Sequence, residues 1–133
     1  MNMSKLRVKD LMHSDVKTVG KNTLLSVAAK MMQELRVSSL IIEPEDDSDA
    51  FGIITRKDIV NAFVSDRIDA TSYLVEDAMS KPAITAHSGL SIQNCHQMMR
   101  MLGVRRIPVV DGSKLVGILS NSDIFAKLVE KIG

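Results

Sequence analysis

Two stretches of the chain carry one chemical arrangement: Gly52-Ile53-Ile54-Thr55-Arg56-Lys57-Asp58-Ile59 and Gly117-Ile118-Leu119-Ser120-Asn121-Ser122-Asp123-Ile124. Each runs glycine, two apolar residues, a hydroxyl residue, two variable residues, aspartate, isoleucine. A glycine in a strand admits close approach by another backbone or by a ligand. The hydroxyl falls where strand becomes helix, and the aspartate falls in the first helical turn. Free amides at a helix start favour an anion such as phosphate. A carboxylate can accept hydrogen bonds from both ribose hydroxyls, and such charge-assisted bonds are worth roughly 1.5–3 kcal/mol each. The same spacing, Thr55-x-x-Asp58 and Ser120-x-x-Asp123, is also that of a capping box, which stabilises a helix by about 1 kcal/mol without any ligand. Spacing alone favours the cap, and one hydroxyl can both cap the helix and touch a phosphate.

Other chemistry is sparse. The single cysteine, Cys95, has no partner for an internal disulfide, and zinc held by a cysteine cluster is excluded. His13, His87 and His96 are scattered without a ligand-like pair at helical spacing. No nearby histidine makes an acid–base pair with Asp58 or Asp123, and no nucleophile stands beside a base, so the residues suit binding rather than catalysis. The acidic stretch Glu43–Ala50 reads as a solvated loop, with a divalent-metal role the weaker alternative. A net charge of +1 with no basic stripe counts against nucleic acid, and an aromatic content of 3% without tryptophan leaves no base-stacking platform. No apolar run reaches the roughly 18 residues that span a bilayer. The opening Met1-Asn2-Met3-Ser4-Lys5-Leu6-Arg7 has no apolar segment of signal-peptide length, and a cytoplasmic location is expected. The nine methionines read as adaptable core filling.

The elements that must position these residues come as an internal repeat. Val8-Lys9-Asp10-Leu11-Met12 recurs as Val75-Glu76-Asp77-Ala78-Met79; at the same offset Thr18 meets Thr85, Met31-Met32 meets Met98-Met99, and Leu35 meets Leu102. Each copy predicts a helical turn (Lys9–Met12, Glu76–Met79) and a short strand (Val16–Val19, Ala83–Ala86). An amphipathic helix follows, with Leu24, Val27, Ala28, Met31 and Leu35 inward in copy one and Ile92, Cys95, Met99 and Leu102 inward in copy two. Cys95 is thus a buried structural thiol. Two strands come next (Ser39–Ile42 and Phe51–Ile54; Arg106–Val110 and Leu115–Leu119), the second pair joined by the hairpin turn Asp111-Gly112-Ser113. A last helix closes each copy (Lys57–Val64, Asn121–Glu130). The class is α+β, a β-α-β-β-α pattern twice. Copy one spans about residues 5–66 and copy two about 72–133, with Ser65–Ser72 connecting them. A copy of about sixty residues is marginal alone, so the two are expected to bury their sheet faces against each other as one pseudo-twofold module.

The ordered set of motifs resembles the cystathionine-β-synthase (CBS) domain, and two copies resemble the CBS pair, or Bateman module. The resemblance runs from about Lys5 to Val129 and includes Gly103-Val104-Arg105-Arg106-Ile107-Pro108-Val109-Val110-Asp111 as a helix-to-strand segment. It implies a non-catalytic regulatory module that binds an adenosine-containing ligand (AMP, ADP, ATP or a related adenosyl compound) in a cleft between the copies, with no covalent cofactor. It also implies a homodimer, with an unidentified regulated protein as a further partner. The implied ligand contacts are Thr55, Lys57, Asp58, Ser120 and Asp123 at the two strand-to-helix turns. Arg105, Arg106, Ile107 and Pro108 join them on the segment facing the cleft, and Thr18 and Thr85 at the backbone that would hold the base. Ser38 stands where copy one lacks the arginines. Copy one reads Val37-Ser38-Ser39-Leu40-Ile41-Ile42, without the proline as well, so its contribution is the less basic. A dimerisation scaffold without a small molecule is the alternative.

Overall fold

The computed structural model describes residues 3–69 and 71–133. Met1 and Asn2 of the opening segment, and Ala70 of the connecting segment, lie outside the described residues. In chain order the elements are α1 (Val8–Leu11), β1 (Thr18–Val19), α2 (Leu25–Leu35), β2 (Ser39–Ile42), β3 (Gly52–Thr55), α3 (Arg56–Val60), β4 (Ala86–His87), α4 (Ile92–Leu102), β5 (Arg106–Asp111), β6 (Lys114–Ser120) and α5 (Asn121–Ile132). A wider π turn, Asn61–Ser65, continues α3, and a 3-10 turn occupies Val75–Asp77. The α+β class and the repeated strand–helix–strand–strand–helix order are as the sequence predicts.

The chain forms two compact units, and their limits are not those of the sequence repeats. One unit is continuous, Lys17–Ala83; the other joins Met1–Val16 to Ile84–Gly133. Each opening segment therefore packs with the sheet of the other copy. In the continuous unit, β1 runs parallel to β2 and β2 antiparallel to β3, with Thr18 beside Ile41 and Ser39 beside Thr55. Copy two's opening segment closes this unit: Val75 N donates to Thr23 O at 2.8 Å, and Ser80 forms an antiparallel bridge with Ile53. Its core gathers Val19, Leu25, Ala28, Met32, Leu40, Ile42, Ile54, Ile59, Ala62 and Val75.

The discontinuous unit repeats the plan. β4 is parallel to β5 and β5 antiparallel to β6, with Arg106 opposite Ser120. Gly112 takes a φ of +59° in the hairpin turn, a conformation that costs glycine nothing. Here copy one's opening segment does the closing. Val8 N donates to Leu90 O and Ile92 N to Leu6 O, while His13 forms an antiparallel bridge with Ile118. Val8 and Leu11 join Ala86, Ile92, Cys95, Met99, Ile107, Val109, Leu119 and Ile124 in the core.

Two expectations are corrected. The inward face of α2 is Leu25, Ala28 and Met32, whereas Leu24, Val27 and Leu35 are exposed. Leu24 lies just outside the helix and pairs with Leu74, so the buried face is turned by one residue from the one that Leu24 predicts. Copy two, with Ile92, Cys95 and Met99 buried, shows the true register, although Leu102 faces solvent. The first strand of copy two forms at Ala86–His87, later than Ala83–Ala86. In copy one Ile41 N donates to Lys17 O at 3.0 Å; the equivalent position in copy two is Pro108, which has no N–H, so the ladder starts a residue later.

Candidate functional site

Each unit brings its predicted residues to one end of its sheet. In the continuous unit β3 ends at Thr55, the N-cap of α3. Asp58 Oδ2 accepts from Thr55 N (2.9 Å) and Thr55 Oγ1 (3.0 Å), while Asp58 N donates to Thr55 Oγ1 at 3.3 Å. Arg56 N donates to Ser38 O at 3.0 Å, which ties the start of β2 to the start of α3. Asp58 is half-buried, and its Oδ1 accepts no hydrogen bond from the described residues. Thr18 lies on β1 and donates through Oγ1 to Glu43 Oε1 at 3.1 Å. Lys57 is exposed.

The other unit has the same frame with one difference. Asp123 Oδ2 accepts from Ser120 N (2.8 Å) and Ser120 Oγ (3.0 Å), and Asp123 N donates to Ser120 Oγ. Asn121 N donates to Arg105 O at 2.9 Å. Asp123 Oδ1, however, is in contact with His13 Nε2 at 2.5 Å; the imidazole is 69% exposed and the carboxylate 9%. This corrects the expectation that no histidine pairs with either aspartate. His13 follows Met12 as Ser80 follows Met79, but the pairing emerges only because the opening segments cross to the other copy's sheet.

Both capping boxes are thus formed, and this narrows the chemistry. A hydroxyl has one proton, and Thr55 and Ser120 each give theirs to the aspartate. Toward an anion these hydroxyls have no second proton to donate. Two of the first three amides of α3 and of α5 are also already bonded. Exposed positive groups beside the two turns are Arg56, Lys57 and Arg105. Arg106 is half-buried opposite Ser120. Ile107 and Pro108 are buried, so they supply shape and backbone rather than exposed side chains. Thr85 precedes β4, and the neighbouring Ile84 carbonyl, deprived of a ladder donor by Pro108, accepts no hydrogen bond from the described residues.

The strand glycines serve backbone contacts. A Cβ on Gly52 would stand 3.0 Å from Met79 Sδ and 3.4 Å from Ser80 O, and one on Gly117 would meet Met12 and His13 more closely still. They admit the crossing segments. The acidic loop is held by one of its own groups and by two lysines outside it: Asp46 Oδ1 accepts from Ser48 N at 2.9 Å, Lys21 Nζ is 2.7 Å from Glu45, and Lys81 Nζ is 2.7 Å from Asp49 Oδ1. The Lys81 hydrogen bond, helped by the Glu45 amide, holds the Asp49 carboxyl down to about 2. Among the described residues no group of three or more histidine, cysteine or carboxylate side chains is placed to hold a metal ion. Burial pushes the Cys95 thiol up. No helix among the described residues is long and apolar enough to cross a membrane.

Comparison with known proteins places this geometry. The family model described as CBS domain matches twice, at residues 8–65 and 75–130. An uncharacterized protein of Methanopyrus kandleri is 32% identical over 123 residues, covering 92% of this chain and 62% of that protein, so the chain spans less than two thirds of that relative. The hexameric CBS-CP12 protein from bloom-forming cyanobacteria is similar with a TM-score of 0.87 and 31% identity, over 92% of this chain and 67% of that one. The CBS domain pair of protein MJ0100, solved in complex with 5′-methylthioadenosine and S-adenosyl-L-methionine, is similar with a TM-score of 0.82 and 27% identity, over 95% and 98% of the two chains. With both copies matched, each on its own sheet and capped turn, the chain belongs to the CBS domain family as a tandem pair.

Proposed function

We propose that this chain is a non-catalytic, ligand-sensing module that binds an adenosine-containing small molecule, AMP, ADP, ATP or a related adenosyl compound. The observation that carries the reading is the Asp58 carboxylate: its Oδ2 is fixed by Thr55, and its Oδ1 takes no bond from the described residues. A carboxylate so held is already oriented when a ribose diol arrives; with both lone pairs of Oδ2 taken by Thr55, the two lone pairs of Oδ1 are the ones open to its hydroxyls. Asp123 offers the same frame. Lys57, Arg105 and Arg106 would meet phosphate or another 5′ substituent. Backbone beside Thr18 and Thr85 would hold the base, where the open Ile84 carbonyl can accept from an exocyclic amine. Ser38, Ile107 and Pro108 would shape the pocket walls. The MJ0100 pair's two adenosyl ligands support the ligand class.

In this reading the protein is cytoplasmic, as its one unpaired, buried thiol suits. It acts as a homodimer that passes ligand occupancy to a separate protein. Phe125, Val129 and Ile132, exposed along one side of α5, support self-association. Calorimetric titration with adenosine, AMP, ATP, 5′-methylthioadenosine and S-adenosylmethionine tests the proposal. It requires at least one to bind, with affinity lowered by Asp58→Asn. No heat across the whole panel would leave the scaffold as the better account.

A further inference from the structure

The two carboxylates differ in one respect: His13 stands on Asp123 Oδ1, and nothing among the described residues stands on Asp58 Oδ1. The position equivalent to His13 in the continuous unit is Ser80. The equivalence is structural as well as sequential, because His13 bridges Ile118 as Ser80 bridges Ile53. Residue 13 is fixed by two backbone bonds, His13 N to Ile118 O and Ile118 N to His13 O, both 2.9 Å. Its imidazole can therefore leave the carboxylate by side-chain rotation alone, with the strand bridge intact.

We infer that His13 is a latch on the Asp123 half: its imidazole occupies the oxygen that a ribose hydroxyl needs, so the Asp58 half fills first and the Asp123 half fills only when the imidazole swings away. The inference rests on the reading of both aspartates as ribose acceptors. The contact with a charged carboxylate must be given up before the ligand's own hydrogen bond can form, which weakens the Asp123 half about tenfold or more relative to an unlatched one. The contact thereby grades two otherwise similar sites, and the module responds to its ligand over a wider concentration range than equal sites would.

The test is calorimetric titration with AMP and, separately, 5′-methylthioadenosine on the wild-type chain, His13→Ala, Ser80→His, Asp58→Ala and the double variant His13→Ala/Asp123→Ala. Circular dichroism and thermal melts first confirm that each is folded. The wild type is expected to show a tighter event, lost in Asp58→Ala, and a weaker one. His13→Ala tightens the weaker event about tenfold, and adding Asp123→Ala abolishes it. Ser80→His, which places an imidazole at the corresponding position beside Asp58, weakens the tighter event. A weaker event that is unchanged or further weakened in His13→Ala overturns the latch while leaving the ligand reading intact, since the imidazole is then a bystander or a ligand contact. Absence of binding in every variant overturns both.

Discussion

A Cβ on Gly117 would stand 2.6 Å from Met12 Sδ and 2.8 Å from the His13 carbonyl oxygen, closer than atoms can pack. The thioether can yield; the carbonyl, fixed in the bridge to Ile118, cannot. Gly117→Ala should therefore lower stability by about 1–3 kcal/mol. Gly52→Ala, whose nearest backbone atom is 3.4 Å away, should cost less. Urea unfolding followed by circular dichroism gives both values, and equal losses would contradict the crossing-segment account.

The capped turns separate stability from binding. Thr55→Ala removes the hydroxyl that accepts from Asp58 N but keeps the carboxylate. It should cost about 1 kcal/mol of stability and reduce ligand affinity less than Asp58→Asn does. Unfolding curves and titrations on the same two variants check the ordering.

Arg36 ends α2 with φ +56°, where Gly103 ends α4 with φ +68°. A side chain in the left-handed region is strained, and glycine relieves it at some cost in unfolded-chain entropy. Arg36→Gly should raise stability by about 0.5–1 kcal/mol, while Gly103→Ala should lower it by a similar amount. A shift of the two melting temperatures in the same direction would refute this.

Acid tests the loop clamp. The folded Asp49 carboxyl is held at about 2, below its usual range, chiefly by Lys81. A depressed carboxyl contributes stability that is present above its unfolded value and fades as pH falls toward the folded one. The wild type should lose melting temperature between about pH 4 and pH 2 more steeply than Asp49→Asn. Parallel slopes would count against the clamp.

Cys95 is buried, with its thiol pushed up by desolvation. A thiol-specific reagent should react with the native chain far more slowly than with the urea-unfolded chain, and Cys95→Ser should destabilise by about 1–3 kcal/mol. Rapid labelling of native protein would show the site to be accessible.

The repeat, the α+β order and the hairpin at Gly112 were legible because each rests on local periodicity and turn chemistry. So was the pairing of Thr55 with Asp58 and Ser120 with Asp123, because both partners lie within one turn. The inward face of α2 is obscured by Leu24, which pairs with the backbone rather than joining the helix; Ile92, Cys95 and Met99 of copy two carry the register that α2 follows. The His13 contact is hidden from the sequence for a different reason. Its approach to Asp123 depends on a segment from one copy closing the sheet of the other, which no spacing in a linear sequence records. The delayed start of β4 was legible in principle, since Pro108 cannot donate to a ladder.

The discontinuous unit, Met1–Val16 with Ile84–Gly133, has a bearing on synthesis. During translation the stretch Lys17–Ala83 leaves the ribosome as an unbroken piece and can settle while elongation continues. The α1 turn that precedes it must wait, Val8 and Leu11 bare, until the last strand and helix emerge. A nascent chain stalled midway would display that apolar turn to holdases, so Val8 and Leu11, made before the continuous unit, are sheltered after it.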